Sequence, residues 1–286
     1  MFANRAGLIA GIEETLALLS SLPIEIDAIP EGSLVEAREV VMRITGHYNN
    51  FGLYETAILG ILASSSGWAT ATREVVLAAD PVPVISFGAR HLHPAVAPVM
   101  DRAALVGGAK GASTILGARQ AGQVPSGTMP HALLLMVGDT VKAALAYDAT
   151  MPTEAPRVVL VDTFKDEAEE AIRVAEALGS SLQAIRLDTP RERGGVTPHL
   201  VKEIRARLAL AGFPEIGVFV SGGLTPDRIR ALKEAGVTGF GVGSFIARAE
   251  PLDMTMDLKA INGHPVAKRG RIPGLTEAPR LIRRHG

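Results

Sequence analysis

Two phrases of this chain, Val-Leu-Val-Asp-Thr at 159–163 and Ile-Arg-Leu-Asp-Thr at 185–189, each close an apolar run on an Asp-Thr pair. If both runs are consecutive parallel strands, Asp162 and Asp188 stand on the same rim. Two carboxylates there suit Mg²⁺, which takes one or two carboxylates together with phosphate oxygens and water. The competing reading is that each Asp caps the helix that follows it. A second feature points to phosphate. The stretch 217–247 reads as strand, glycine turn, helix, strand, glycine turn, with Ser221-Gly222-Gly223 and Gly243-Ser244 at the strand ends. Glycine turns of this kind expose backbone N–H groups, and phosphate sits in the loops after the last strands of a (β/α) barrel. Cations share the rim: Arg90, Arg191 and Arg193 in loops, and Arg186 inside an apolar strand. A guanidinium in such a strand is costly unless it meets an anion. His131 ends one segment and opens a helix, where it reads equally as a capping residue or a catalytic one. His91 and His93 alternate beside Arg90, but no third zinc ligand stands at a useful spacing.

The elements that would position these residues form a βα series. Strands are expected at 82–87, 104–106, 124–129, 157–161, 182–187, 218–220 and 238–242, with helices between them, which makes about seven units of an incomplete TIM-like barrel. Thr225 offers a hydroxyl cap with Pro226 at the first helical position. Before the series come a helix at 8–19, strands at 23–29 and 34–44, and a long helix at 52–78. After it, a hairpin at 258–268 turns on Asn262-Gly263 and is expected to return to the early strands. The expected division is a partial α/β sandwich lobe at 1–80, the barrel at 81–256, and a C-terminal hairpin at 257–286 that rejoins the lobe.

The 286 residues carry a net charge of −1, which gives no reason to expect nucleic acid or an anionic membrane as partner. Arg280, Arg283 and Arg284 read as a solvated basic end. With no Cys, disulfides, thiolate metal sites and a cysteine nucleophile are excluded. No clean run of 18 apolar residues and no signal-peptide order occurs, so the expected location is the cytoplasm. Walker, dinucleotide-binding and Gly-x-Ser-x-Gly signatures are absent. From the residues alone, phosphoribosyl, aldol and phosphosugar chemistry remain equally open.

Three runs narrow this: Ser-Phe-Gly-Ala-Arg-His-Leu-His-Pro from 86, Gly-Ala-Ser-Thr-Ile-Leu-Gly-Ala from 111, and Ser-Gly-Thr-Met-Pro-His-Ala-Leu from 126. With the two Asp-Thr phrases, the two glycine turns and the closing Gly-His-Pro-Val-Ala-Lys-Arg-Gly from 263, the chain resembles the nicotinate phosphoribosyltransferases, nearest their archaeal-type branch. The resemblance implies an α/β lobe beside an incomplete seven-stranded barrel, in a homodimer or higher homo-oligomer. It implies transfer of nicotinate onto 5-phosphoribosyl-1-pyrophosphate, with Mg²⁺ and, in relatives that phosphorylate the residue matching His131, ATP. By the same resemblance Phe87 would stack on the pyridine ring and Arg90 would hold phosphate. Ser113 would favour a carboxylate, and Arg186 would lie near the ring. Asp162 and Asp188 would manage ribose, pyrophosphate and metal. Gly222, Gly223, Gly243 and Ser244 would cradle the 5′-phosphate, with Ser221 also among the substrate-binding residues. The match starts close to Met1, so a short N-terminus relative to the family is expected. Quinolinate as acceptor, or a shortened homologue that binds phosphosugar or a full-length subunit without turnover, are the alternatives.

Overall fold

A computed structural model describes residues 1–125 and 127–286. The chain forms two compact units, one from residues 1–73, 103–108 and 248–286, the other from 74–102 and 109–247.

In the first unit, Glu25–Ala28 is the middle strand of a three-stranded antiparallel sheet, between Met42–Thr45 and Ile282–His285. Alternation along this strand sends Ile26 and Ala28 inward. They share a core with Ile9, with Ile12 and Leu19 of the helix Ile12–Leu19, with Met42, and with Ile58 and Leu62 of the long helix Glu55–Ala79. The helix Ile12–Leu19 starts only after Gly11, whose φ of 91° is a left-handed conformation. The expected strand at 34–44 is two pieces, Leu34–Val35 and Met42–Thr45, in different sheets. The C-terminal hairpin forms, Ala260–Ile261 against His264–Pro265, but among the described residues it pairs with no other strand. The segment that returns to the early strands is Ile282–His285. The basic end is therefore not a solvated tail. Arg283 pairs with Glu25 and Asp27, Arg284 with Glu13, and Arg280 with Glu39.

The second unit holds six parallel strands: β1 Val84–Ser86, β2 Gly111–Ala112, β3 Val158–Leu160, β4 Ala184–Leu187, β5 Gly217–Ser221 and β6 Gly239–Val242. Their order in the sheet is β2-β1-β6-β5-β4-β3. Sequence neighbours are sheet neighbours except that β1 lies against β6, which is a ring opened between β2 and β3. Helices Ala97–Val106, Glu167–Leu178, Pro198–Leu210 and Pro226–Glu234 follow β1, β3, β4 and β5. The loops after the strands therefore share one rim. Side chains of Thr114, Asp166, Thr197 and Thr225 cap the helices that follow them.

Among the described residues the sheet thus has six strands, not the expected seven. The apolar run at 104–106 is the last turn of Ala97–Val106, with Met100, Ala103 and Ala104 buried at helical spacing. The strand follows it, at Gly111–Ala112. The expected strand at 124–129 is absent from its described residues, and Ser126 lies outside them. The expected single helix ending near Tyr147 is two, His131–Val137 and Thr140–Thr150, parted by Gly138 at φ 80°. Among the described residues no helix is long and apolar enough to cross a membrane.

Candidate active site

Every residue read as a site residue belongs to the second unit, and all but His131, which opens a helix with no strand leading to it among the described residues, lie in the last residues of a strand or just after it. Asp162 stands two residues past β3. Its side chain is 1 % exposed, and Oδ1 lies 3.1 Å from Nε2 of His131, which opens the helix His131–Val137 and is 41 % exposed. The other oxygen, Oδ2, is buried with no hydrogen-bond partner, as is Oγ1 of Thr163. Burial pushes the Asp162 carboxyl above its ordinary range; His131 opposes that and the charge of Asp188 adds to it. The capping alternative is settled by geometry. The helix after Asp162 is capped by Asp166, and the helix after Asp188 by Thr197. Neither candidate carboxylate serves a helix end.

Arg186 is the hub. It lies on β4 in register with Phe219 of β5, with its side chain 13 % exposed. Nε donates to Ser221 Oγ at 2.9 Å, Nη1 to Thr128 Oγ1 at 2.5 Å, and Nη2 to Asp188 Oδ2 at 3.2 Å. Its guanidinium carbon is 5.2 Å from the centre of the Phe87 ring, a cation–π contact. Burial lowers its pKa, Asp188 and Asp162 raise it, and Arg90 lowers it. Ser221 is buried and donates to Asp188 Oδ1 at 2.9 Å, so its hydroxyl bridges Arg186 and Asp188.

Two alternating glycines of β6 make room for the aromatic wall. A Cβ on Gly241 would sit 2.5 Å from the Phe87 ring, and one on Gly239 2.6 Å from the Phe219 ring. The two rings are 5.8 Å apart, tilted by 34°. At the rim, Gly222 (φ 93°) and Gly223 (φ 57°) turn left-handed. A Cβ on Gly222 would lie 2.9 Å from Asp188 Oδ1. The carbonyls of Gly222 and Gly223 accept from Arg228. The N–H groups of Gly222, Gly223 and Gly243 have no acceptor among the described residues. Gly243 presses against the backbone of Phe87, and Ser244 opens the short helix Ser244–Ala247. A guanidinium nitrogen of Arg191 comes within 3.2 Å of where a Gly223 Cβ would be, while Arg193 turns to Glu167 instead.

Arg90 is exposed and its charge is felt at Arg186. Ser113 follows β2 beside Phe87, and its hydroxyl donates to Asp101 Oδ2 at 3.2 Å. Linear reading missed Thr128 and Phe219. Phe219 had a signal, since Gly239-x-Gly241 marks space that a neighbouring strand must fill. Thr128 had none, because only the fold brings it to Arg186.

No group of three or more acidic or histidine side chains able to hold a metal occurs among the described residues. Two carboxylates, one with a buried unpartnered oxygen, still fit Mg²⁺ that brings phosphate oxygens as its other ligands.

Known proteins resemble this chain in sequence and in fold. Residues 1–66 match the model for the N-terminal domain of quinolinate phosphoribosyl transferase, and residues 68–257 that for its C-terminal domain. Over 246 residues the chain is 34% identical to nicotinate phosphoribosyltransferase pncB2 of Mycobacterium tuberculosis, covering 82% of this chain and 51% of that protein. The nicotinate phosphoribosyltransferase of Bacillus subtilis is 30% identical, with 78% and 45% covered. The chain spans about half the length of these curated relatives. The crystal structure of nicotinate-nucleotide pyrophosphorylase from Pyrococcus furiosus superposes with a TM-score of 0.90 at 45% identity, covering 96% of this chain and 72% of that one. Human nicotinic acid phosphoribosyltransferase shares the fold, with a TM-score of 0.76 at 18% identity over 96% of this chain and 72% of that one. With both domain models matched in order along its length, the chain belongs to the quinolinate phosphoribosyl transferase family.

Proposed function

We propose that this chain joins nicotinate to 5-phosphoribosyl-1-pyrophosphate, giving nicotinate mononucleotide and pyrophosphate. The observation that carries the reading is Arg186: a partly buried cation beside the Phe87 ring and within reach of Asp188. A flat pyridine carboxylate answers both halves of that arrangement, its ring on Phe87 and its charge on Arg186. The relatives named as nicotinate phosphoribosyltransferases point the same way.

In this reading the ring nitrogen attacks C1 of the ribose as pyrophosphate departs, and positive charge builds on the sugar. The nitrogen is already a nucleophile, so the protein needs little proton transfer. Its task is to place two anionic partners and stabilise charge. The glycine amides after β5 and β6, with Arg191 beside them, receive the 5′-phosphate. Asp162 and Asp188 would hold Mg²⁺ with the leaving group, and when bound the ion neutralises the departing pyrophosphate. His131, paired with Asp162, would accept a phosphoryl group from ATP on its free ring nitrogen, releasing ADP. A homodimer or higher homo-oligomer is part of the proposal, supported by Leu135 and Met136, 63% and 79% exposed on the helix that His131 opens.

The test is pyrophosphate release by the purified chain with Mg²⁺ and nicotinate, nicotinamide or quinolinate as acceptor. Release with nicotinate above the others is expected; none with any acceptor at saturating Mg²⁺ sinks the proposal. Quinolinate is the second reading, favoured by the family models. It would bring a second carboxylate, for which Arg90 is the cation at hand, and its preference in the same assay would replace nicotinate.

A further inference from the structure

Asp101 lies on the helix after β1, behind the rim, and is fully buried. A buried carboxylate is costly unless donors surround it. Here three do. Ser86 Oγ of β1 donates to Oδ1 at 2.7 Å, while the Thr114 N–H at 2.7 Å and Ser113 Oγ at 3.2 Å donate to Oδ2. An ionised carboxylate only accepts, so all three protons point at Asp101. Thr114 in turn caps the helix Ile115–Gln120, accepting from the Gly117 N–H at 3.3 Å. That helix packs directly on Asp101, because a Cβ on Gly117 would lie 2.8 Å from the Asp101 Cβ.

The carboxylate therefore ties the end of β1, one residue before Phe87, to the turn that carries Ser113. From this geometry we infer that Asp101 is the positioning residue of the acceptor pocket. It holds the Ser113–Thr114 turn at a set distance from the ring wall, without touching substrate. The role in acceptor binding rests on the phosphoribosyl transfer proposed above; the hold on the turn does not.

Two measurements on the full chain separate the two. Asp101→Ala leaves the Thr114 N–H without its acceptor and the Ser86 hydroxyl with only the weak sulfur acceptor Met100 Sδ, 3.8 Å away. It should raise the acceptor KM about tenfold, with kcat and the KM for 5-phosphoribosyl-1-pyrophosphate within about twofold. Hydrogen exchange of the amides at 113–117 should quicken. Asp101→Asn should restore both, because its carbonyl takes the Thr114 N–H and its amide donates to the Ser86 hydroxyl. An unchanged acceptor KM, unchanged exchange, or an Asn variant as impaired as the Ala one overturns the inference. If Asp101→Ala does not fold, Ser86→Ala carries the same readings, with about a threefold rise in acceptor KM expected and no rise overturning it. If the wild-type chain turns over no pyridine acceptor, the proposed function fails, and amide exchange alone decides the positioning role.

Discussion

At the scale of single residues, Asp162 holds the tension in the site. One of its oxygens meets His131 and the other meets nothing, in a place where burial and Asp188 both disfavour charge. A group with a raised pKa makes the folded state relatively more stable below its unfolded pKa, about 3.9 for Asp, and that advantage is lost as pH rises through the folded value. The ionised form is what a metal needs. Asp162→Asn should therefore melt higher than wild type at pH 8, with the gap closing near pH 4. Activity should fall about a hundredfold or more. Melting curves at the two pH values, alongside turnover, check this; a variant that melts lower at pH 8 would refute it. The two Asp-Thr phrases made both carboxylates legible in the sequence, since each ends a strand. That they are not helix caps was not legible, because Asp166 and Thr197 compete for the same role and only backbone geometry shows which side chain reaches the amides. The Ser221 hydroxyl, which accepts from Arg186 and donates to Asp188, ties the two side chains together in a way only the fold reveals.

At the scale of elements, β6 is shaped by what its neighbours carry. Gly239 and Gly241 have no side chains where Phe219 and Phe87 lie. Gly241→Val should push the Phe87 ring aside, lowering the melting temperature and raising the acceptor KM about tenfold or more. Adding Phe87→Leu should recover part of the melting temperature without restoring acceptor binding, because the smaller side chain relieves the clash but gives no flat ring. Equal additive losses in the double variant would contradict the shared space. The strong strands were readable as apolar runs ending in Gly or Asp. The run at 104–106 misled, because three apolar residues before Gly107-Gly108 fit a helix end as well as a strand. Length and flanks do not separate the two, whereas burial of Met100 and Ala103 on the same helical face does.

At the scale of the whole molecule, the first unit is closed by the far end of the chain. Ile282–His285 gives Glu25–Ala28 its second neighbour, and His285 Nε2 lies 3.1 Å from the Leu22 carbonyl oxygen. Deleting residues 282–286 strips that strand edge and leaves Glu13, Glu25 and Asp27 without their Arg partners. The melting temperature should fall by roughly 5 °C or more, mostly from the lost strand, since exposed ion pairs contribute little. An unchanged melting curve would mean the strand adds nothing to the unit. The basic composition of this end looked like an ordinary solvated tail, and the acidic partners that disprove it lie more than 240 residues away in sequence, 256 for Asp27 and 271 for Glu13.

The sequence by itself determined the βα rhythm, the glycine turns at the strand ends, the helix caps such as Thr225, and the kinds of side chain available for chemistry. Those follow from short-range sterics and from how apolar residues partition out of water, which act within a few residues. Tertiary structure alone decided that β1 closes against β6, that the ring opens between β2 and β3, and that the C-terminal strand rather than the hairpin returns to the first unit. It also chose the partners of Arg186, one 35 and one 58 residues distant. Such pairings are selected by packing and by the need of each buried polar group for a partner, and neither is written in local spacing.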